Sequence, residues 1–223
     1  MATVPTIQTG LVGRAWDRAG IHVVAVLLLV MGTFVSDQFL TPKNLLTVLN
    51  AVALLGIASV GMTFVTTSGH MADLSLPAIM AFSGIVTVAA LPLGLPLALL
   101  LGLAGGMAVG AANGIIVGRL QANPILWTLS VSFLMEGFMR FTWSNNQVYP
   151  DTAPGTAGAA FTDIFRLSVG PIPLVVVVML VMFLLGHLVL TRTRFGFETK
   201  LVGSCRAAAA TSGINVPRVV FFD

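Results

Sequence analysis

Residues 95–118 read LPLALLLGLAGGMAVGAANGIIVG. No residue in the run carries a charge, and a helix of this length crosses the ~30 Å hydrocarbon core of a bilayer. Gly102, Gly106, Gly110, Gly114 and Gly118 recur at every fourth position. Four residues turn a helix by about 400°, so these glycines form one slowly drifting stripe. Glycine inside a helix costs roughly 1 kcal/mol relative to alanine, so a stripe of it needs a compensating role. The expected role is a seam where another backbone approaches closely, the small-xxx-small packing of membrane helices. A part in lining a substrate path is the second reading of the same stripe.

The rest of the chain has the same character. It has 223 residues, 57% hydrophobic and only 9% charged, with a mean hydropathy of +0.98. Soluble domains carry about a quarter charged residues, so the expected solvent is lipid. Six apolar segments, roughly 20–40, 45–67, 76–92, 95–118, 125–143 and 171–190, are separated by TPKN, SGHMADLS, LPLGLP, RLQANP and a longer stretch from Ser144 to Gly170. The expected fold is all-α: a polytopic inner-membrane helical bundle with about six transmembrane helices. The first apolar run follows Arg14 and Arg18 but lacks a small-x-small cleavage pattern, so it is read as a retained span. The single cysteine, Cys205, excludes an internal disulfide.

Charge sets the expected orientation. With the N-terminus in the cytoplasm, Arg14, Arg18, Arg119, Arg192, Arg194, Lys200, Arg206 and Arg218 fall on the cytoplasmic side. Lys43, Arg140 and Arg166 fall at the outer face. The basic residues thus belong to topology and not to nucleic-acid binding. On this reading residues 1–19 are a cytoplasmic segment, residues 144–170 an external loop and residues 191–215 a cytoplasmic region, all within one domain, 1–223.

Polar residues at membrane depth are functional candidates by default. Asp73 and Ser75 lie between the second and third segments. Gly69 allows a break there, either polar residue can cap the next helix, and Pro77 suits its first turn. Asn50 and Asn113 are lone amides within spans, suited to interhelical hydrogen bonds or to ligand contact. Glu136 and Arg140 sit four apart on one helix face, in the favourable order for mutual neutralisation; substrate contact is the alternative. Asn50, Asp73, Ser75, Asn113, Glu136 and Arg140 are therefore the substrate-path candidates. His70 and Asp73 lack a third ligand, so no metal site or other cofactor is expected. The chain has no GxSxG, HExxH or paired catalytic carboxylates, so it is not expected to be an enzyme.

The pieces FLTPKNLLTVLN, GMTFVTTSG, ADLSLPAIMAFSG, NGIIVGRL, RTRFG and TSGINV occur in this order. Together they resemble the permease subunits of ribose-type ATP-binding cassette importers. The resemblance implies translocation of a sugar or similar small polar solute. It also implies as partners an ATPase subunit, an external or periplasmic solute-binding protein and a second permease copy or paralogue. The segment after RTRFG resembles a coupling helix that seats in a groove of the ATPase. Arg194, Ser204, Arg206, Ala207, Ala208, Ala209 and Gly213 are its candidate contacts, with Gly196 and Gly203 allowing the chain to turn and Gly213 ending the helix. The family's usual acid before this alanine run is replaced by Ala207, and its Gly-Gly-Ile-Asp-Leu-Ser pattern appears as GHMADLS. Family members continue with further membrane helices, so the chain reads as a partial permease, truncated at the C-terminus. A non-transporting or regulatory membrane fragment, or an importer of a non-sugar solute, are the alternative functions.

Overall fold

The computed structural model describes residues 11–69 and 73–222, with residues 11–18 described by their backbone alone. The chain divides into two units, Met1–Leu49 and Asn50–Asp223. In the first, helix α1 (Leu11–Val35) ends where Ser36 N–H donates to Gly32 O (3.2 Å) and Phe39 N–H to Ser36 O (3.0 Å). The phenyl ring of Phe39 covers Gly32, where only glycine leaves room for it. Helix α2 (Pro42–Thr67) follows. Thr41 Oγ1 accepts from Asn44 N–H (3.4 Å) and Pro42 occupies the first helical position, whose N–H would be unbonded in any case. The TPKN break is therefore a helix start.

From Asn50 onward the structure is a set of apolar helices. α2 ends before Gly69, which has φ +78°. Helix α3 (Leu76–Ala90) passes through a 3₁₀ turn, Leu91–Leu93, and Gly94 (φ +101°) into helix α4 (Leu95–Gly118). Helix α5 (Pro124–Thr142) starts at Asn123, whose side chain accepts from the N–H of Ile125 and Leu126. Helix α6 (Ala157–Arg166) and a two-residue hairpin, β1 (Ser168–Val169) with β2 (Ile172–Pro173), precede helix α7 (Leu174–Arg192). The chain then forms helices α8 (Arg194–Ser204), α9 (Arg206–Thr211) and α10 (Val216–Phe222).

Six helices, α1 to α5 and α7, stand on the six apolar segments. Among the described residues, four are long and apolar enough to cross a membrane: α2, α3 with its 3₁₀ turn, α4 and α7. The apolar part of α1, Ala19–Val35, is shorter. The apolar run of α5 is diluted by Thr128, Ser130, Ser132, Glu136 and Arg140. Each of these helices has large apolar side chains exposed, as lipid-facing surfaces require.

α3 and α4 form the tightest pair, and Gly102 is the reason. A methyl group there would overlap the hydroxyl of Thr87 and lie 2.8 Å from Ser83 O. The close approach lets Ser83 Oγ donate to Gly102 O at 2.7 Å. Gly106 makes ordinary contact with Ser83 and Ile79, near 3.5 Å. The stripe then changes partner. Gly114 faces Phe221 O at 2.9 Å and Gly118 faces Pro217 O at 3.2 Å, both on α10. Between these two seams, a Cβ at Gly110 would meet nothing within 4 Å. The expectation that Gly110 packs against another backbone is therefore corrected: helix drift carries the stripe off α3 before it reaches α10, and position 110 falls in the gap.

The stretch 144–170 is not an open loop. α6 lays Ala157 and Phe161 on the cluster of Ala90, Leu91 and Ala98. Thr156 caps it by accepting from Ala159 N–H (3.1 Å). A second cluster joins α2 to α7 through Ala53, Val176 and Met179. A third joins Val202 of α8, Ala209 of α9 and Val219 and Val220 of α10, with Val117 of α4 against them. The unit thus has two ends, one carrying the 3₁₀ turn and α6, the other carrying α8 to α10.

Substitution separates the two kinds of glycine. Gly102→Leu forces α3 and α4 apart, and overpacking of this kind costs about 1–3 kcal/mol. Gly110→Leu places its side chain in open space and is expected to leave thermal stability in detergent near that of the parent. Equal loss of stability at both positions would contradict this division of the stripe.

Candidate functional site

The break between α2 and α3 brings Asp73 to the start of α3. Asp73 Oδ1 accepts from Ser75 N–H (2.7 Å) and from Ser75 Oγ (2.6 Å), so the carboxylate, not the Ser75 hydroxyl, satisfies this helix end. Pro77 lies in the first turn. Ser75 Oγ in turn accepts from Asn113 Nδ2 of α4 at 2.8 Å, and the same nitrogen donates to Asp73 Oδ2 at 3.3 Å. On the other side of the amide, Trp127 Nε1 of α5 donates to Asn113 Oδ1 at 2.9 Å. An indole nitrogen can only donate, which fixes the orientation of the Asn113 amide. Thr128 Oγ1, one residue on, accepts from Leu74 N–H at 3.1 Å and donates to Pro124 O at 2.8 Å.

Ser75 is 0% and Asn113 only 6% exposed, so an unsatisfied group in this cluster would carry the full cost of desolvation. As built, the donors and acceptors match: the amide NH₂ faces two oxygens and the amide oxygen faces an N–H. The cluster forms part of the wall of a cavity of about 370 Å³. Gly61 and Val65 of α2, Ser68 just after it, Gly110 and Gly114 of α4, Thr128 of α5 and Phe221 of α10 also line it. The void exists because Gly61 and Gly110 have no side chain to fill it; nothing lies within 4 Å of a Cβ at either position. The site is an apolar chamber with one carboxylate, one amide and two hydroxyls on its wall.

Of the substrate-path candidates, Asp73, Ser75 and Asn113 come together here; the others do not. Asn50 is exposed on α2 and lies outside the cavity wall. Glu136 and Arg140 pair with each other at 2.8 Å while more than half exposed, and Arg140 Nη1 also donates to Asn145 Oδ1 (2.8 Å). Their neutralisation is local to one end of α5, and neither residue lines the cavity. His70 lies outside the described residues. Trp127, Thr128 and Ser68 had no signal in the sequence, because nothing local relates an indole on α5 to an amide on α4.

The opposite end of α7 explains RTRFG. Thr193 caps α8 by accepting from Gly196 N–H at 3.2 Å, and a side chain at Gly196 would collide with the backbone of Val189 and Leu190. Gly196 and Gly203 do not turn the chain, contrary to expectation: both are inside α8, and Gly203 lets the helix touch the backbone of Thr67 and Gly69. The turn falls at Cys205, an extended residue at φ −161°. Ser204 is therefore the last residue of α8 and not part of α9. Ala207 and Ala208 are exposed on α9, as are Arg206 and Gly213. Arg194 bonds to Glu198 at 2.8 Å. Ala209 is the exception among the contact candidates: it is 0% exposed and packs inward on Val202 and Val219, so its place on an outward docking face is corrected. Gly213 (φ +80°) ends α9 in a Schellman motif. Its N–H donates to Ala210 O (3.0 Å), and Ile214 N–H donates to Ala209 O (3.1 Å).

A family model described as "Branched-chain amino acid transport system / permease component" matches residues 44–222, and the chain belongs to this permease family. It is 33% identical to the ribose import permease protein RbsC of Bacillus subtilis over 195 residues, 86% of this chain and 59% of that protein. It is 30% identical to the L-arabinose ABC transporter permease protein AraH of Azospirillum brasilense over 220 residues, 98% of this chain and 63% of that protein. The ribose import permease of Haemophilus influenzae is 26% identical over 218 residues, 95% of this chain and 65% of that protein. The chain thus spans about three fifths of the length of these curated relatives. No solved structure matches it.

Trp127→Phe keeps the bulk of the ring but leaves Asn113 Oδ1 without its donor. The expected loss is about 1–3 kcal/mol of stability, read as a lower melting temperature, whereas Trp143→Phe at the far end of α5 should be close to neutral.

Proposed function

We propose that this chain is the membrane-spanning permease portion of an ATP-binding cassette importer that carries a pentose or similar small polar solute. The observation that carries the reading is the family match over residues 44–222, which takes in both the polar chamber and α9. Relatives named for ribose and L-arabinose import support a sugar as the solute. Asp73, Asn113 Oδ1 and Thr128 Oγ1 keep acceptor capacity for the hydroxyls of a sugar in a mostly apolar chamber, where a few placed polar groups orient a small molecule.

Energy comes on this proposal from a partner ATPase seated on α9. The exposed Ala207 and Ala208 present little bulk, so a second surface can come close, and Arg206 supplies a cation for an acidic groove wall. A solute-binding protein docks at the end that carries α6, and a second permease copy or paralogue completes the pathway. The N-terminus is cytoplasmic and the membrane is a bacterial inner membrane. Support for this orientation is the gathering of Arg119, Arg192, Lys200, Arg206 and Arg218 at the end with α8 to α10, against Arg140 and Arg166 at the other.

Three measurements test the proposal. Labelled ribose and arabinose uptake is measured in cells that lack their own pentose importers and co-express the candidate ATPase and binding protein. Uptake that depends on the chain is expected, and its absence for both sugars would reject a pentose as the solute. Ala208→Trp is expected to abolish co-purification of the ATPase with insertion intact. Ala209→Trp instead overpacks the α8–α10 cluster at a cost of about 1–3 kcal/mol; equal effects at both positions would remove α9 as the docking face. In a Cys205→Ser background, a cysteine at Ala160 should react with an impermeant thiol reagent from outside and one at Ala208 only from inside. The reverse pattern would overturn the orientation.

A further inference from the structure

We propose that the depression between the end of α4 and α10 holds the phosphate of an anionic phospholipid. Gly118 brings the two backbones together, with Pro217 O at 3.2 Å and Val220 Cγ1 at 3.3 Å from its Cβ position. The next residue on each strand of this contact is an arginine, Arg119 on one side and Arg218 on the other. Both line a single surface depression of about 490 Å³, together with Asn215, Pro217, Phe221 and Phe222. Asn215 Oδ1 accepts from Arg218 N–H at 3.1 Å, which leaves its side-chain NH₂ as a further donor.

Among the described residues, none in the wall of the depression is acidic. Among the described residues, the ion pairs are Arg140 with Glu136, Arg166 with Asp163 and Arg194 with Glu198; neither Arg119 nor Arg218 joins one. Two guanidinium groups and an amide thus line one depression that has no anionic partner among the described residues. Guanidinium presents paired N–H groups that match phosphate oxygens. The apolar side of the depression selects a lipid over a free ion. Phe221 and Phe222 meet edge to face at 5.0 Å, and Phe222 is 62% exposed, a wall against which an acyl chain can lie. The depression also sits at the end of α4, one of the helices long and apolar enough to cross a membrane. It is therefore at headgroup level, where basic pockets between helices take anionic lipids.

The purified chain is placed in nanodiscs of phosphatidylcholine doped with phosphatidylglycerol, and retained lipid is counted by native mass spectrometry. Preferential retention of phosphatidylglycerol is expected. A basic residue at an anionic surface strengthens attachment about fivefold, so Arg119→Gln with Arg218→Gln should weaken retention about 25-fold. Arg192→Gln with Lys200→Gln makes the same change in charge elsewhere at this end and should have little effect. Circular dichroism verifies that both double variants keep their helices. An equal loss in the two double variants would mean diffuse surface attraction and overturn the proposal, as would no preference between the two lipids. Displacement of the lipid by inorganic phosphate would assign the depression to a free anion instead. Asp223, next to Phe222, lies outside the described residues; a gain in retention on Asp223→Asn would show that the arginines already hold an internal carboxylate, and would likewise overturn it.

Discussion

The amide of Asn113 ties three helices together, and the geometry of the second unit follows from it. Lipid tails are as apolar as the leucines they touch, so burial of hydrocarbon does little to drive one membrane helix against another. Backbone approach and hydrogen bonds must do so. Asn113 reaches Ser75 and Asp73 at the start of α3 and receives Trp127 from α5. At the other end of α4, Ser83 bonds to Gly102 O across a gap that only a glycine leaves open. These two attachments fix the course of α4 between its neighbours. With α4 fixed, the absence of side chains at Gly61 and Gly110 becomes a chamber and not a collapse.

The two ends of this unit are built differently. At one end α6 covers the 3₁₀ turn, holding a segment between membrane helices in place through Ala157 and Phe161. At the other, three short helices fold on one another around Val202, Ala209, Val219 and Val220. α10 belongs to both this cluster and the chamber wall: Val220 packs into the former, while Phe221 also lines the latter. α10 thus stands between α8 and α9 on one side and the wall of the polar chamber on the other.

Much of the local structure was legible in the sequence. Thr41-Pro42, Asn123-Pro124 and Thr193 start helices because a side-chain oxygen can accept the unbonded N–H groups of a first turn. Gly69, Gly94 and Gly213 mark breaks because their φ values suit residues without a Cβ. Asp73 was legible as a helix-start residue and as a candidate at membrane depth for the same reason, an acid beside a break in apolar helix. In each case cause and effect lie within a few residues of each other, so a sequence reader has all the terms.

What the sequence by itself determined was the class: an all-α chain whose composition requires lipid, with breaks at set places and polar residues set apart as candidates. Only the tertiary structure decided which candidates meet. Asn113 and Asp73 are forty positions apart, and nothing in the sequence says that they share a cavity while Asn50, Glu136 and Arg140 stand outside it. The same holds for the glycine stripe, which looks uniform as a string yet divides into a seam with α3, a void at Gly110 and a seam with α10. Ala209 is identical in chemistry to Ala207 and Ala208 but turns inward. The physical reason is common to all three: a side chain's local propensity depends on its neighbours along the chain, whereas its partner depends on where helices cross, and each crossing is settled jointly by two segments far apart in sequence.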